Sequence, residues 1–522
     1  MSASVSETQH RDQTSQAKSW GQLAMIPRSA NDAVDSLILV WVRIVVAIAI
    51  YCWADSFLRN DQYLAIFVEP RFLFKYEPFQ WVQRWTADGM WWHFAITKIA
   101  AVGLVFGLLS RVCAATLCFS IAYVLLVERQ IYVNHYYLLS LTAGLLVFLP
   151  VGGRWSLDAW WGIQRRRRSF PRWQLWLLRF QLGLPYFYGA IAKLNGDWFR
   201  GQPGELILRT RFEVGGRPIS ELPGVVQGFA YSGFAYDLLV VPMLLWRPTR
   251  WLAVALSLVF HLTNAATLNI GVFPWFMLAT MVVFFPPDTL GRRLRLFVGA
   301  KPVDPEVVRS CSSNAVRLNP SPRWATSLAW MYVIVHLLLP LRAAIYPGDS
   351  NWNERGHRFG WRMMLRHKDA LTHYLVVDQN SDEFLFVPST IVLTGYQAQR
   401  ADHHPELIRQ TAVAISEAAA ELGVPQNRVY ALALVSLNGR KPVPMVDPNV
   451  DLTQVRRGWW RDDWVQDDPG PFRDKAWDVP KDRWWSELDL PEPFVPLQGR
   501  SPTELERFLK QLSNERPDQD AK

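Results

Sequence analysis

Charged residues are scarce in this chain of 522 residues: Asp, Glu, Lys and Arg together make up 19% of it, whereas 50% is hydrophobic. This balance, with 26 Trp, 28 Phe and 16 Tyr, fits a membrane protein with a soluble appendage better than a soluble enzyme. The start of the chain is polar and lacks the apolar core of a secretory signal peptide. We therefore expect residues 1–34 to form a disordered cytoplasmic tail.

Cysteine is also scarce. Three of the four cysteines, Cys52, Cys113 and Cys118, lie in apolar runs, and Cys311 lies in a loop. Their spacing indicates neither a metal centre nor a disulfide framework. The sequence also lacks an HExxH pair, a P-loop, a Cys-x-x-Cys pair and a GxSxG elbow. Nothing in it therefore indicates a metalloprotease, an NTPase or a serine hydrolase.

The net charge of +9 does not by itself indicate a nucleic-acid partner. Much of the basic excess lies in short clusters between apolar runs, where membrane topology explains it. We therefore expect the lipid bilayer, and no nucleic acid, as a partner.

Apolar runs long enough to cross a bilayer dominate the first two thirds of the chain, since a spanning helix needs about 20 mostly apolar residues. Very short turns join several of them, so neighbouring spans would be antiparallel. The sequence predicts a polytopic α-helical membrane protein, with a multi-span membrane domain over residues 35–346. The nine predicted spans are 36–57, 91–109, 111–129, 134–151, 173–194, 227–246, 250–268, 270–286 and 324–345.

Arginine-rich loops on one side of these spans set the expected orientation. The densest is Arg165–Arg168, and Arg111 and Arg247 lie in other loops on the same side. By the positive-inside rule that side is cytoplasmic. With nine spans the amino terminus is then inside, and everything after Tyr346 is periplasmic or extracellular. We expect the inner membrane of a bacterium.

A soluble pattern follows the last predicted span. Two β-rich runs, Thr372–Val377 and Glu383–Val387, flank a polar turn, which indicates a hairpin. Val429–Val435 has the composition of a further strand, followed by the turn Asn438-Gly439. We therefore expect a small extracytoplasmic α+β domain over residues 347–500.

Helical patterns in the same region complete this domain. Apolar residues recur at steps of three and four from Ile408 to Leu422, which predicts an amphipathic helix ended by Gly423. His403-His404 just before it is interpreted as a solvated cap. Ser501-Pro502-Thr503-Glu504 is a capping box, so residues 501–522 are predicted to form a short helix and a tail.

Lys193 closes the fifth predicted span, in the motif Ala192-Lys193-Leu194-Asn195-Gly196-Asp197-Trp198. A lysine at the end of an apolar helix either extends to the membrane interface or has a function. His135 begins the fourth span on the same outer side, and spans joined by one loop usually pack together. The two side chains are therefore expected at similar depth, where they can share a pocket. The alternative for His135 is an interfacial histidine without a role.

Further polar residues lie within the predicted spans. Each is either a structural ion pair or hydrogen bond, or part of a site or a translocation path. No inverted repeat and no pair of broken spans indicates a transporter, but transport stays open on these residues alone. They are Arg43, Lys98, Arg179, Asp237, His261 and Asn264.

The segment 351–366 leaves the last span at the outer surface and is rich in arginine. Guanidinium groups beside an apolar wall suit the recognition of a carboxylate by paired hydrogen bonds. The alternative is a basic interfacial segment that only anchors the outer domain.

Seven short motifs occur in an order and spacing that resemble vitamin K-dependent γ-glutamyl carboxylase and its bacterial homologues, which have an HTTM-type membrane domain. The resemblance covers residues 35–470. The motifs are Asn134–Leu138, Arg154–Asp158, Ala192–Trp198, Asp237-Leu238, His261–Asn264 with Ile270–Pro274, Asn351–Arg366 and Asp447–Leu452.

The resemblance implies a membrane enzyme that couples epoxidation of vitamin K hydroquinone by O2 to γ-carboxylation of glutamate by CO2 in a peptide or protein. Neutral Lys193 would deprotonate the hydroquinone. Addition of O2 would then generate a strong base and finally the quinone epoxide. That base would remove the glutamate γ-proton, and the carbanion would attack CO2. A quinone reductase is the further partner that this chemistry implies, and no metal is expected.

The resemblance also implies roles for individual residues. Lys193 and His135 would be catalytic, and His135 would position an oxygen atom of the quinone or an oxyanion. Cofactor contacts are expected from Asn134, Tyr136, Trp155, Asp237, His261, Asn264 and Phe273. Substrate contacts are expected from Arg358, Trp361, Arg362, Met363 and Arg366.

Two other functions remain as alternatives to this one. The first is a quinol epoxidase or oxidase that does not carboxylate glutamate. The second is a non-catalytic transporter or scaffold that keeps the same fold.

Overall fold

The computed structural model describes residues 30–268, 270–291, 321–381, 383–458, 460–471 and 476–499. The predicted tail over 1–34 therefore lies almost wholly outside the described residues, and so does the predicted helix over 501–522.

A bundle of long helices makes up the first part of the structure, and each coincides in position with a predicted span. Short helices over Leu157–Trp160, Gly196–Phe199 and Gly204–Arg211 lie in the connections. The bundle helices are α1 (Leu37–Leu58), α2 (Ala87–Phe106), α3 (Ser110–Val127), α4 (Asn134–Phe148), α5 (Arg172–Lys193), α6 (Val225–Leu245), α7 (Arg250–Thr267), α8 (Phe273–Thr280) and α9 (Arg323–Leu338).

The prediction of nine spans is not confirmed. Among the described residues, five stretches are long and apolar enough to cross a bilayer. Helix α4 has only 15 residues and α8 only 8, so both are short for a bilayer. Helices α5 and α7 are long enough but more polar, since they carry residues such as Arg179 and His261. The five stretches are Leu37–Asp61, Ala87–Phe106, Ser110–Val127, Val225–Leu245 and Arg323–Ile345.

Helix α1 forms the centre of the bundle, since 67% of its most apolar stretch is buried inside the protein. Helix α9 lies at the periphery, where only 11% of the corresponding stretch is buried. Arg43 of α1 is 1% exposed and donates hydrogen bonds to the carbonyl oxygens of Val151 at 2.9 Å and Trp155 at 2.7 Å. A buried guanidinium therefore holds together the turns at one end of the bundle, where unpaired carbonyls would be costly.

The outer domain, which follows residue 346, is built on a four-stranded antiparallel sheet. Its strands are β5 (Lys368–Asp378), β6 (Phe384–Pro388), β7 (Asn427–Leu437) and β8 (Val443–Pro444), in the order β6-β5-β7-β8. The predicted hairpin is confirmed, with Tyr374 opposite Val387. Asn438 and Gly439 both have positive φ in the turn that follows β7, as predicted. Two short strand pairs lie elsewhere. Strand β1 (Ala33–Asp35) pairs with β2 (Ser169–Pro171), and β3 (Glu213–Val214) pairs with β4 (Arg217–Pro218).

Both faces of this sheet are covered. The predicted amphipathic helix is confirmed as α11 (Pro405–Glu421), which follows α10 (Gly395–Ala401) and packs on one face. The Trp-rich carboxyl-terminal stretch covers the other face, where Trp484 and Trp485 are 2% exposed. The sheet thus has two separate apolar cores.

The outer domain is attached to the membrane bundle by polar contacts near the motif that contains Lys193. Asp197 accepts two hydrogen bonds from the Arg440 guanidinium, each at 2.7 Å, and one from the Asn438 amide at 2.8 Å. Such a bidentate pair fixes orientation as well as distance. These contacts set where the β7–β8 turn lies above the end of α5.

We expect Asp197→Asn to loosen this attachment, because it removes the negative charge that pairs with Arg440. Both side chains of this pair are only partly exposed. The unfolding free energy should fall by about 2–4 kcal/mol, measured by thermal unfolding in detergent with limited proteolysis of the outer domain.

The matched control is Asp478→Asn, which breaks the exposed pair with Arg209. Its effect should stay within about 0.5 kcal/mol. Equal shifts in the two variants would contradict the proposed importance of the Asp197–Arg440 contact.

Candidate active site

A cavity of about 430 Å³ lies where the bundle meets the outer domain. It lies against the beginning of α4, the end of α5, the middle of α6 and α7, and the segment that precedes β5. Most of the residues predicted as site residues line it. They are Asn134, His135, Lys193, Asp237, His261, Asn264, Phe273, Arg358, Arg362, Met363 and Arg366.

Lys193 is buried within the protein. It is 5% exposed, and its Nζ lies 2.6 Å from Oδ2 of Asp237, which is also 5% exposed. The same Nζ lies 4.9 Å from the ring centroid of Trp198. Lys193 is thus paired inside the protein, because α6 brings a carboxylate to the end of α5. Its catalytic role stays a prediction. Removal of either partner would leave the other charge buried and unpaired, which would lower the free energy of unfolding by about 3–5 kcal/mol.

Gly189, one turn before Lys193, makes this contact possible. A Cβ atom at position 189 would lie 2.8 Å from Oδ2 of Asp237, closer than such atoms normally approach. The same atom would lie 3.6 Å from Cε of Met363. The absence of a side chain on α5 thus creates the space that the carboxylate occupies.

His135 and Asn134 lie at the start of α4 with different surroundings. The His135 ring packs 5.4 Å from the Phe273 ring and 4.7 Å from the Tyr136 ring, measured between centroids. The Asn134 amide donates to the carbonyl oxygen of Arg362 at 2.9 Å. Asn134 therefore fixes the arginine-rich segment over the cavity, whereas His135 lies among aromatic rings.

His261 of α7 adds a second imidazole to the cavity wall. It is 1% exposed, and its Nε2 pairs with the hydroxyl of Tyr186 at 2.9 Å. Its buried Nδ1 has no hydrogen-bond partner among the residues that the structure describes. A buried nitrogen of this kind suits a hydrogen bond to a bound polar ligand.

The segment 354–366 follows a short helix, Ser350–Asn353, and has an unusual backbone. Phe359, Trp361 and Met364 have φ near +57°, a conformation that costs side-chain-bearing residues energy. At Gly356 a Cβ would lie 2.6 Å from the Cα of Ala343, so only glycine fits there. The surrounding contacts hold this segment in one irregular shape.

The three arginines of this segment are not equivalent. Arg366 forms a salt bridge to Glu354 at 2.8 Å, and Lys368 reaches the same carboxylate at 2.6 Å. Burial alone would raise the pKa of Glu354, but Arg366 and Lys368 outweigh it and hold that pKa far below its usual range. Within the described ranges, Arg358 and Arg362 form no salt bridge. They are therefore better placed than Arg366 to bind an external carboxylate.

His404 was misassigned from the sequence. It precedes α11, but it is 5% exposed and lines the cavity with His403, so the interpretation as a solvated cap is wrong. Its Nε2 lies 3.3 Å from Nη1 of Arg358 and 3.4 Å from Nη2 of Arg129. Burial and these two guanidinium groups hold the pKa of His404 well below its usual value. Neutral His404 can accept hydrogen bonds from both, and no motif in the sequence indicated this.

Three predicted site residues do not line the cavity. Trp155 is 61% exposed at the opposite end of the bundle, where its carbonyl oxygen accepts a hydrogen bond from Arg43. The structure therefore does not support the predicted contact between Trp155 and the cofactor, because the turn after α4 lies a full helix length from the cavity. Tyr136 packs against Trp53, and Trp361 is buried against Tyr137.

A second, apolar cavity of about 450 Å³ adjoins the first. It lies between α6 and α7, and Lys193, Phe260 and Asn264 line both cavities. Lys193 is thus placed between a polar compartment under the outer domain and an apolar compartment within the bundle. Among the described residues, no group of three or more metal-ligating side chains is arranged to hold a metal ion.

Two family models match the chain. The model of the HTTM domain matches residues 31–289, and the model of the vitamin K-dependent gamma-carboxylase lumenal domain matches residues 321–469. No solved structure matches the chain. The cavity described above lies at the junction of the two matched regions.

We expect Gly189→Ala to disrupt the Lys193–Asp237 contact, because the added methyl group displaces the carboxylate. The overpacking should cost about 1–3 kcal/mol, measured by thermal unfolding. Gly183→Ala in the same helix is the control, since its Cβ would make ordinary contacts of 3.7 Å with Val241. The idea fails if Gly189→Ala is as stable as Gly183→Ala.

Proposed function

The chain belongs to the vitamin K-dependent γ-carboxylase family, and from this premise we propose that it is an integral-membrane enzyme that couples O2-dependent epoxidation of vitamin K hydroquinone to γ-carboxylation of glutamate in a peptide or protein. The observation that carries the proposal is the position of Lys193. Its amine lies between an apolar cavity suited to a quinone and a polar cavity lined by arginines.

The residues around Lys193 fit a reduced quinone. The apolar cavity between α6 and α7 suits a hydrocarbon tail that arrives from lipid. In the adjoining first cavity, Phe273 and His135 offer flat surfaces to an aromatic ring. The unpartnered Nδ1 of His261 offers a hydrogen bond to a ring oxygen. When bound, reduced vitamin K supplies with O2 the strong base that this carboxylation needs.

The Lys193–Asp237 pair explains how a lysine can act as a base in this cavity. The amine must be uncharged to accept a proton. In an apolar site an ion pair and its neutral form differ less in free energy than in water, because both charges lose their hydration. Asp237 can therefore hold the proton while Nζ of Lys193 takes one from the quinol hydroxyl.

The surroundings of the pair also keep water away from it. Both side chains are 5% exposed, and the Trp198 ring covers the amine. A strong base formed nearby would be quenched by bulk water, so the low exposure of the pair and the adjoining apolar cavity favour the reaction. His135, which also lines the first cavity, is the proposed group that orients a quinol oxygen.

Arg358 and Arg362 are the proposed ligands of the glutamate carboxylate. Neither is neutralised by a salt bridge among the described residues, in contrast to Arg366. Neutral His404 leaves the charge of Arg358 uncompensated. Met363 lies beside them and suits the aliphatic part of the substrate side chain.

The proposed orientation places the outer domain and its cavity on the periplasmic or extracellular side, with the amino terminus in the cytoplasm. The arginine-rich turns at the opposite end of the bundle support this orientation. A quinone reductase is the proposed partner that returns the epoxide to the hydroquinone, and a bacterial inner membrane is the proposed location.

The first test uses purified full-length protein with reduced vitamin K, a glutamyl peptide and labelled bicarbonate. Lys193→Arg should lower epoxide formation by at least about 100-fold while the fold is kept, because a guanidinium pairs with Asp237 but does not give up its proton. Lys98→Arg is the control, since Lys98 forms a partly buried pair with Asp55 and does not line the cavity.

The outcomes separate the candidate functions. Epoxide and labelled peptide together support the proposal, and epoxide without label supports a quinol epoxidase. Neither product from folded wild-type protein would favour a non-catalytic function. Normal epoxide formation by Lys193→Arg would show that Lys193 is not the base.

The second test concerns the substrate carboxylate. Arg358→Gln and Arg362→Gln should each raise KM for the glutamyl peptide about 10-fold or more, since a charge-assisted hydrogen bond is lost, with a smaller change in kcat. Arg428→Gln, at an exposed position near the start of β7, is the control. An unchanged KM in both cavity variants would leave the segment with an anchoring role only.

A further inference from the structure

A large cavity of about 940 Å³ lies at the end of the bundle opposite the outer domain. Arg111 at the start of α3 and the four consecutive arginines Arg165–Arg168 line it. The one carboxylate in its described wall, Asp158, is 0% exposed and accepts hydrogen bonds from the amides of Leu109 and Ser110. The remaining charge of the cavity is strongly positive.

The arginine run is held in place by its backbone. Ser36 bonds to the carbonyl oxygens of Arg167 and Arg168, and the amide of Arg167 donates to Gly153 at 2.8 Å. The pairing of β1 with β2 directly follows the run. A loop whose only role was to set the membrane topology would not need these contacts. Here the arginine side chains are exposed, while the contacts hold their backbone in place.

A second cavity, of about 510 Å³, continues from the first toward the middle of the bundle. Arg111, Phe148 and Gln174 line both cavities. Apolar side chains of α3, α4, α5 and α9 form most of its wall, among them Leu141, Leu177 and Leu328. Because α9 is only 11% buried, this groove opens along the side of the bundle where lipid lies.

Tryptophans mark the depth at which the two cavities meet. Trp160, Trp161 and Trp324 are 58–71% exposed near the arginine run. Exposed tryptophans of membrane proteins concentrate at the level of the lipid headgroups. The arginines therefore lie at headgroup depth, and the apolar groove lies at acyl-chain depth.

We propose that these two cavities bind one anionic phospholipid, with its phosphate among the arginines and an acyl chain in the groove beside α9. Basic pockets between membrane helices with adjoining apolar grooves match both parts of such a lipid. A free phosphate would use only the first cavity, and a zwitterionic lipid would gain less from the arginines. This site is separate from the cavity around Lys193.

The test titrates detergent-purified full-length protein with dioleoyl phosphatidylglycerol, followed by native mass spectrometry. Dioleoyl phosphatidylcholine and water-soluble glycerophosphoglycerol are the comparison ligands. We expect phosphatidylglycerol to bind at least about fivefold more tightly than phosphatidylcholine, and Arg111→Gln to remove about fivefold of that affinity. Arg247→Gln, an exposed arginine at the same end that lines neither cavity, should leave binding unchanged.

Ala329→Trp, which fills the groove from α9, should abolish the binding of phosphatidylglycerol, and Ala325→Trp replaces it if that variant elutes as aggregate. Equal binding of the two lipids, or equal effects of Arg111→Gln and Arg247→Gln, would overturn the proposal. So would glycerophosphoglycerol binding as tightly as the lipid, which would assign the cavity to a free anion.

Discussion

A lysine ammonium and an aspartate carboxylate lie 2.6 Å apart in this protein, almost without contact with solvent. Such a pair is stable in an apolar bundle only if both members are placed accurately, because a misplaced partner leaves a bare charge. The close approach of α5 and α6, the glycine at position 189 and the cover provided by Trp198 all meet this requirement.

The outer domain depends on the same end of α5. Asp197, in the short helix that follows α5, binds Arg440, so the sheet is attached close to the buried pair. The irregular segment 354–366 then closes the cavity from above, with the Arg366 charge neutralised by Glu354 and the Arg358 charge facing a neutral imidazole. The contacts that attach the outer domain and those that close the cavity thus lie at the same end of α5.

Much of this arrangement follows from sequence patterns. The hydropathy of the apolar runs located the bundle helices, and period-two and period-3.6 patterns located the hairpin and α11. The number of spans did not follow, because α4 and α8 are short and polar residues such as Arg179 and His261 lower the hydropathy of α5 and α7. His404 and Trp155 were misjudged because their neighbours in space come from distant parts of the chain.

By itself, the sequence determined the membrane bundle, the α+β outer domain and the candidate residues Lys193 and His135, because local periodicity and ordered motifs encode them. Only the tertiary structure decided that Lys193 pairs with Asp237, that Arg358 and Arg362 rather than Arg366 are available to a carboxylate, and that His404 lines the cavity. The first and third depend on contacts between residues more than 40 positions apart: 44 positions separate Lys193 from Asp237, and 46 separate Arg358 from His404. The second depends on the irregular fold of the segment 354–366, which brings Arg366 to Glu354. No local pattern carries that information, since it arises from how the helices pack.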